Sequence, residues 1–231
     1  MAKNVSLASL RESARQRADQ VNSGFVTDAE LTNYINLSLT ELYDLLVDAY
    51  GEDYYTKNPP ELITTTGLDN YPLPLDFYKL QGVDLQIDSV TFRTLRPFMM
   101  AERNRYRLNG GWGEQTNMYK INGNRIYFLP LPPAGKVFRL WYVPVCPTLV
   151  NGTDEFDFIN GWEEYVIIDA AIKMMIKEES SIQELLIQKN AMTQRLIKMK
   201  KDRDIGSPLR IVDVRRNGMD FDGYELDEYI W

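Results

Sequence analysis

The residues of this 231-residue chain that could carry out chemistry are few. There are 33 Asp and Glu, 26 Lys and Arg, one Cys and no His. Without imidazole there is no Ser-His-Asp or Cys-His nucleophile, no His-ligated zinc and no proton shuttle tuned near neutrality. Asp154-Glu155-x-Asp157 is the densest carboxylate group ahead of the C-terminal tail. Acid–base catalysis needs two carboxylates on opposite sides of a bond with pKa values pushed apart, which near neighbours in a solvated turn do not supply. Asp220-x-Asp222-Gly223 has the opening of a calcium loop but lacks the remaining ligands and the closing Glu. Gly110-Gly111-Trp112-Gly113 has no Lys-Ser/Thr after it and makes a poor phosphate cradle. Cys146, a single thiol, forms neither an internal disulfide nor a thiolate cage. The expectation is a protein that is not an enzyme and holds no metal or cofactor.

The chain carries a net charge of −7, with 44% apolar and 26% charged residues. That balance fits a folded globular protein and argues against gripping a phosphate backbone, which takes a basic stripe. The N-terminus lacks the apolar core of a secretory signal, and no stretch is long and apolar enough to span a bilayer. The reading is an intracellular protein without a membrane partner, in which the Asn-x-Ser/Thr triplets at Asn4, Asn36 and Asn151 are chance matches.

The elements that position these residues fall into three blocks. Leu7, Leu10, Ala14 and Ala18 predict a short helix. Thr27-Asp28-Ala29-Glu30 is a capping box, followed by Leu31, Tyr34, Ile35, Leu42, Leu45, Leu46 and Ala49 at helical spacing to about Tyr50. The period then changes. Glu61–Thr66, Phe77–Ile87, Thr91–Leu95, Met118–Ile121, Arg125–Leu129 and Val137–Val143 read as strands, with Asn122-Gly123-Asn124 as a hairpin turn and Met99–Leu108 as a short helix. A third block starts with Asn160-Gly161-Trp162-Glu163 as a cap. Trp162–Ile176 is apolar almost all round, as a central core helix is. Ser180-Ser181 breaks it, and Ile182–Arg203 forms a last helix with Ile182, Leu185, Leu186, Leu196 and Ile197 inward. The expected fold is α+β: a four-helix bundle from the N- and C-terminal helices (1–58 and 160–205), an antiparallel β-rich insert (59–159) and an extended tail (206–231).

Gly206-Ser207-Pro208 ends the last helix. Fully extended, the tail reaches roughly 80–90 Å at about 3.3 Å per residue. Met219–Trp231 holds five acids, no base and alternating aromatics, which reads as a peptide for a groove or sheet edge. Phe221, Tyr224, Leu226, Tyr229, Ile230 and Trp231 are its candidate contacts with a partner. A strand folded back on its own domain is the alternative.

The order of features resembles a family. Arg15–Asp19, Phe25–Leu31, Tyr34-Ile35-Asn36 and Glu41-Leu42-Tyr43 carry it first. Tyr71–Pro74, Asp76–Leu80 and Leu140–Pro144 follow in the insert, then Asn160–Tyr165, Asp169–Lys173 and Lys177–Glu179. Together they are similar to the head-to-tail adaptor (connector) proteins of tailed bacteriophages, of the podovirus-type, tail-tubular-protein-A-like group. The resemblance implies a structural virion protein made in the host cytoplasm. It would form a ring, commonly of twelve copies, joining the portal protein to the tail or nozzle protein. Genomic DNA would pass through it without sequence-specific binding. Another ring-forming tail or nozzle component, a carboxylate-based virion enzyme and an assembly chaperone are the rival readings.

Overall fold

The computed structural model describes residues 3–21, 24–50, 55–56, 61–65, 67–104 and 117–199. Helix α1 (Leu7–Arg17) starts at Ser6, whose hydroxyl accepts the Ser9 amide at 3.4 Å. Its stripe of Leu7, Leu10 and Ala14 is wholly buried. The expected capping box opens α2 (Asp28–Tyr50): Thr27 Oγ1 accepts from the Glu30 amide at 3.3 Å, and Glu30 Oε2 accepts from the Thr27 amide at 3.1 Å. Leu31, Ile35, Leu39, Leu42 and Leu46 then repeat every three or four residues and are fully buried. Each such side chain contributes about 1.5–3 kcal/mol over an exposed one.

The C-terminal helices are α3 (Glu163–Lys177) and α4 (Gln183–Met199). Helix α3 is buried without interruption from Tyr165 to Ile172 and packs against α1, α2 and α4, so the four helices form one bundle. Two details differ from expectation. Asn160 does not cap α3; the N-cap is Trp162, with no side-chain bond. Ile159 and Asn160 take positive φ angles of 43° and 56°, followed by Gly161 at 96°, so Asn160 serves a left-handed turn instead. On α4 the inward face is Leu185, Lys189, Met192, Leu196 and Met199, whereas Ile197 is 52% exposed. Three- and four-residue steps from Leu185 run through Lys189, and it is this polar position that sets the face.

Between α2 and α3 lies the β insert, whose strands include β2 (Glu61–Ile63), β3 (Asn70–Pro72), β4 (Phe77–Gln86), β5 (Phe92–Thr94) and β6 (Arg96–Pro97). A 3-10 turn at Met100–Glu102 leads towards β7 (Met118–Asn122), β8 (Arg125–Leu129) and β9 (Val137–Pro144). The rest of the Met99–Leu108 helix expected from the sequence lies outside the described residues beyond 104. One sheet has the order β2-β9-β4-β5 and the other β3-β8-β7-β6. Pairing is antiparallel except for two-residue β6, which runs parallel to β7. The Asn-Gly turn closes the β7–β8 hairpin as expected, with Gly123 at φ 57° and Asn122 opposite Arg125. Val83, Leu85, Phe138 and Leu140 of one sheet meet Tyr71, Ile126 and Phe128 of the other, and the Phe128 and Phe138 rings stack at 4.0 Å.

Several contacts tie the insert to the bundle. Val143 is buried in the helical core, and the chain after it crosses the bundle as a strap. Asn36 on α2 clamps that strap, accepting from the Leu149 amide and donating to its carbonyl, both at 2.9 Å. Phe156 and Phe158 then enter the helical core, and β10 (Glu155–Asp157) pairs antiparallel with β1 (Asn4–Ser6) just ahead of α1. Tyr43 on α2 also donates to the Pro144 carbonyl at 2.8 Å.

Asn36→Ala removes both clamp bonds and leaves backbone groups of the strap unpaired. It is expected to lower stability by about 1–3 kcal/mol, read as a fall in the urea midpoint with an unchanged m-value.

Candidate assembly surfaces

Two of the three carboxylates closest in spacing to a catalytic group, Asp154 and Asp157, serve the backbone. Asp154 Oδ2 accepts from the Val150 and Asn151 amides, both at 2.8 Å, and these bonds hold its carboxyl below the usual carboxylate range. Asp157 Oδ1 accepts from the Lys3 amide at 2.8 Å and the Ile159 amide at 3.0 Å. Burial pushes the Cys146 thiol up to about 12, which leaves it a poor nucleophile at neutral pH. Among the described residues no group of three His, Cys, Asp or Glu side chains is placed to hold a metal ion. No described helix is long and apolar enough to cross a membrane.

The chemistry of the bundle lies in one buried polar cluster. Asp169, in the middle of α3, is only 4% exposed. Ser38 of α2 donates to its Oδ2 at 2.6 Å, Lys173 one turn along α3 donates to the same oxygen, and Lys189 of α4 donates to Oδ1 at 2.8 Å. Burial by itself would raise the Asp169 pKa, but these donors outweigh it and hold the carboxyl below its ordinary value. Lys189 also reaches Glu41 of α2 at 2.9 Å, and Tyr165 donates to Glu41 at 2.7 Å. Desolvation would lower the Lys189 pKa, yet the bonds to Asp169 and Glu41 carry it above the usual lysine range. Four of these residues, Glu41, Tyr165, Asp169 and Lys173, stand in the stretches on which the family resemblance rests. Lys189 lies outside those stretches, and its signal in the sequence is a lysine on the inward stripe of an amphipathic helix, which calls for a buried partner.

The outer surfaces are more varied. At one end of the bundle, Val21 and Phe25 of the α1–α2 connection and Ile176 of α3 are more than half exposed. Lys177 lies 4.9 Å from the Phe25 ring centroid and pairs with Glu30 at 2.8 Å, so a charged side chain screens part of that apolar end. On α4, Ile187 and Ile197 face out.

In the second sheet, Met118 faces Leu129 and Lys120 faces Tyr127, and Asn122 faces Arg125, so these six share the outer face while Ile126 and Phe128 fill the core. A cavity of about 320 Å³ opens on that side among Phe98, Met100, Arg103, Tyr127 and Leu129. A second cavity of similar volume lies against Leu62, Leu140 and the Tyr71–Pro74 stretch that carries part of the family resemblance. The tail residues Phe221, Tyr224, Leu226, Tyr229, Ile230 and Trp231 all lie outside the described residues, as do the Asn109–Gly113 loop and the Asp220-x-Asp222 pair.

The architecture of a split helical bundle around a β insert is accompanied by a match in sequence. The family model for SU10 adaptor protein matches residues 5–212, almost the whole of the described fold. The chain belongs to that adaptor family. Membership makes it a structural protein with a head-to-tail adaptor role in a phage virion. No curated protein matches the chain. The match ends at residue 212, short of the acidic aromatic segment Met219–Trp231.

Asp169→Ala would leave Lys173 and Lys189 facing each other without their shared carboxylate. It is expected to cost about 3–5 kcal/mol in urea unfolding at pH 7. Because the folded-state pKa of Asp169 lies below the unfolded value of about 3.9, its contribution is present above that pH and is lost as pH falls through the folded pKa. Midpoints measured from pH 6 down to pH 2 should therefore fall more steeply for the native chain than for Asp169→Asn, and parallel curves would contradict the assignment.

Proposed function

We propose that this adaptor works as a ring of twelve copies between portal and tail, of the podovirus-type, tail-tubular-protein-A-like kind. The portal protein lies on one side, the tail or nozzle protein on the other, and genomic DNA passes through the middle. The observation that carries this reading is the adaptor-family match over residues 5–212, together with a helical bundle split around a β insert. Charge supports it. At −7 per copy, twelve copies bring about −84, and acidic walls repel DNA phosphates rather than holding them during ejection. The Asp154 and Asp157 bonding described above leaves those carboxylates to structure, which supports the non-enzymatic reading.

A ring uses heterologous contacts, with one face of each copy against a different face of the next. The exposed apolar residues Phe25 and Ile176, the outward Ile187 and Ile197 of α4, and the outer face of the second sheet are the candidate faces. With each of these patches small, the portal acts as the template that fixes ring symmetry, and the free chain is largely monomeric.

Solution mass tests this directly. The chain alone is expected to be monomeric at micromolar concentration, and mixing it with portal rings of the same phage should add copies in ring stoichiometry. No association at tens of micromolar would sink the proposal. Deleting Met219–Trp231 is expected to weaken that assembly, and unchanged binding after deletion would remove the tail from it.

A further inference from the structure

We infer that the outward face of α4 in one copy packs along the strap and α2 of the neighbouring copy, with Ile197 against Val145 and Ile187 against Val150. The inference rests on the ring reading above and names the contact between copies.

Helix α4 supplies one surface. Its core side is Leu185, Lys189, Met192 and Leu196, and at about 100° per residue the opposite side carries Ile187, Asn190, Ala191, Gln194, Ile197 and Lys198. All six are exposed. That face runs for three turns with a single charge, a cation, in a chain of 26% charged residues. A solvated helix face is ordinarily charged and polar, whereas the centre of a protein interface is depleted of charge. Ala191 between the two isoleucines leaves a recess that a side chain of another element can enter.

The strap and α2 supply the other. The strap runs antiparallel along α2, with the Pro144 carbonyl on Tyr43, the Cys146 thiol bonded to Thr40 and Leu149 clamped by Asn36. Val145 and Val150 stand at the two ends of this run, and Leu37 follows the clamp residue on α2. Leu75 adjoins Val145, because the Asp76 carbonyl accepts the Val145 amide at 2.8 Å. These four range from 46% exposed at Val145 to fully exposed at Leu75. Exposed apolar residues are ordinary one at a time; four along one seam form a patch. The spans also agree. Ile187 and Ile197 are about 15 Å apart at 1.5 Å per residue. Val145 and Val150 are separated by between about 10 Å, the rise from Asn36 to Tyr43, and about 17 Å, the length of five extended residues.

Charge selects the partner and the direction. Helix α2 holds five acids and no base, and residues 144–154 add no base. Glu41, Asp44 and Asp48 are exposed near the Tyr43 end of the strap, where Val145 lies. Lys198 beside Ile197 is their complement, and Glu184, the one acid of α4, falls at the far end. A copy cannot bring its own two surfaces together. Lys189 holds α4 to Glu41, and Asn36 holds the strap, and these two α2 residues lie about 140° apart around the helix. Helix α4 therefore sits on one flank of α2 and the strap on the other, with the outward face of α4 turned away from both. Two distinct surfaces of one chain that fit each other make a heterologous, head-to-tail contact.

The test uses the full chain with a diazirine-bearing aliphatic residue at position 197 or 187, close in size to the isoleucine it replaces. Equal amounts of isotopically light and heavy chain are assembled on portal rings and irradiated. Cross-links between light and heavy copies are expected from position 197 to residues 40–44, 75 or 145, and from position 187 to residues 33–37 or 149–151. Leu37→Glu should reduce both sets at least fivefold with far-UV circular dichroism unchanged, and Lys198→Glu should reduce the position-197 set more than the position-187 set. Rings that form while these positions link to the portal, to another face of the neighbour, in the reverse order along the strap or only within one copy would overturn the inference and leave the adaptor reading standing. Should the chain fail to join the portal at all, the adaptor reading falls. The same cross-links sought in 100 µM free chain then decide the contact: their presence supports it and their absence overturns it.

Discussion

A single buried carboxylate aligns three of the four described helices. Asp169 on α3 takes hydrogen bonds from Ser38 on α2 and Lys189 on α4, while Lys189 turns back to Glu41 on α2. Burying these charges is expensive, and well-packed apolar residues could replace them at little cost in stability. Their effect is on alignment. Leucine or methionine at position 189 would pack acceptably against several turns of α2 and α3, whereas an ammonium must meet Asp169 and Glu41 together. That constraint holds α4, in which only Leu196 is fully buried, in one register against the bundle.

The position of the β insert follows from the same bundle. Its last strand runs into the helical core at Val143, and the strap beyond it is fixed by Asn36, by the Asp154 turn and by Phe156 and Phe158. The β1–β10 ribbon closes the strap onto the first residues of α1. Tyr78 adds a bond from β4 to Asp44 of α2 at 2.8 Å, and Tyr43 binds the Pro144 carbonyl. These contacts cross between the bundle and the sandwich at several points, so the insert is braced by two returning chain segments and by tyrosines of α2 and β4.

Most of this architecture was legible in the residues because local and global signals agree. The Thr27–Glu30 box, the leucine stripe of α2, the uninterrupted apolar run of α3 and the Asn-Gly hairpin each have one reading, and each is found in place. The misreadings occur where tertiary partners decide. Asn160 has the composition of a cap but sits in a left-handed turn beside Gly161. Ile197 has the composition of a core residue but lies outside the face that Lys189 defines. The three-residue strands β1 and β10 are too short for a periodic signal and form because their ends are brought together across about 150 residues. The basic outer sheet face was within reach of the sequence. Once the Asn-Gly turn sets Asn122 opposite Arg125, period-two alternation puts Lys120, Arg125 and Tyr127 on one side. What it withholds is whether that side looks inward or outward, which depends on the second sheet.

The most direct test of this account is a cryo-electron-microscopy reconstruction of the head–tail junction in the intact phage particle. The account predicts a closed ring of this chain between portal and tail, each copy with its split bundle and β insert, around a channel wide enough for duplex DNA. A junction with no density for this chain, or a particle in which the chain occurs elsewhere, would contradict it.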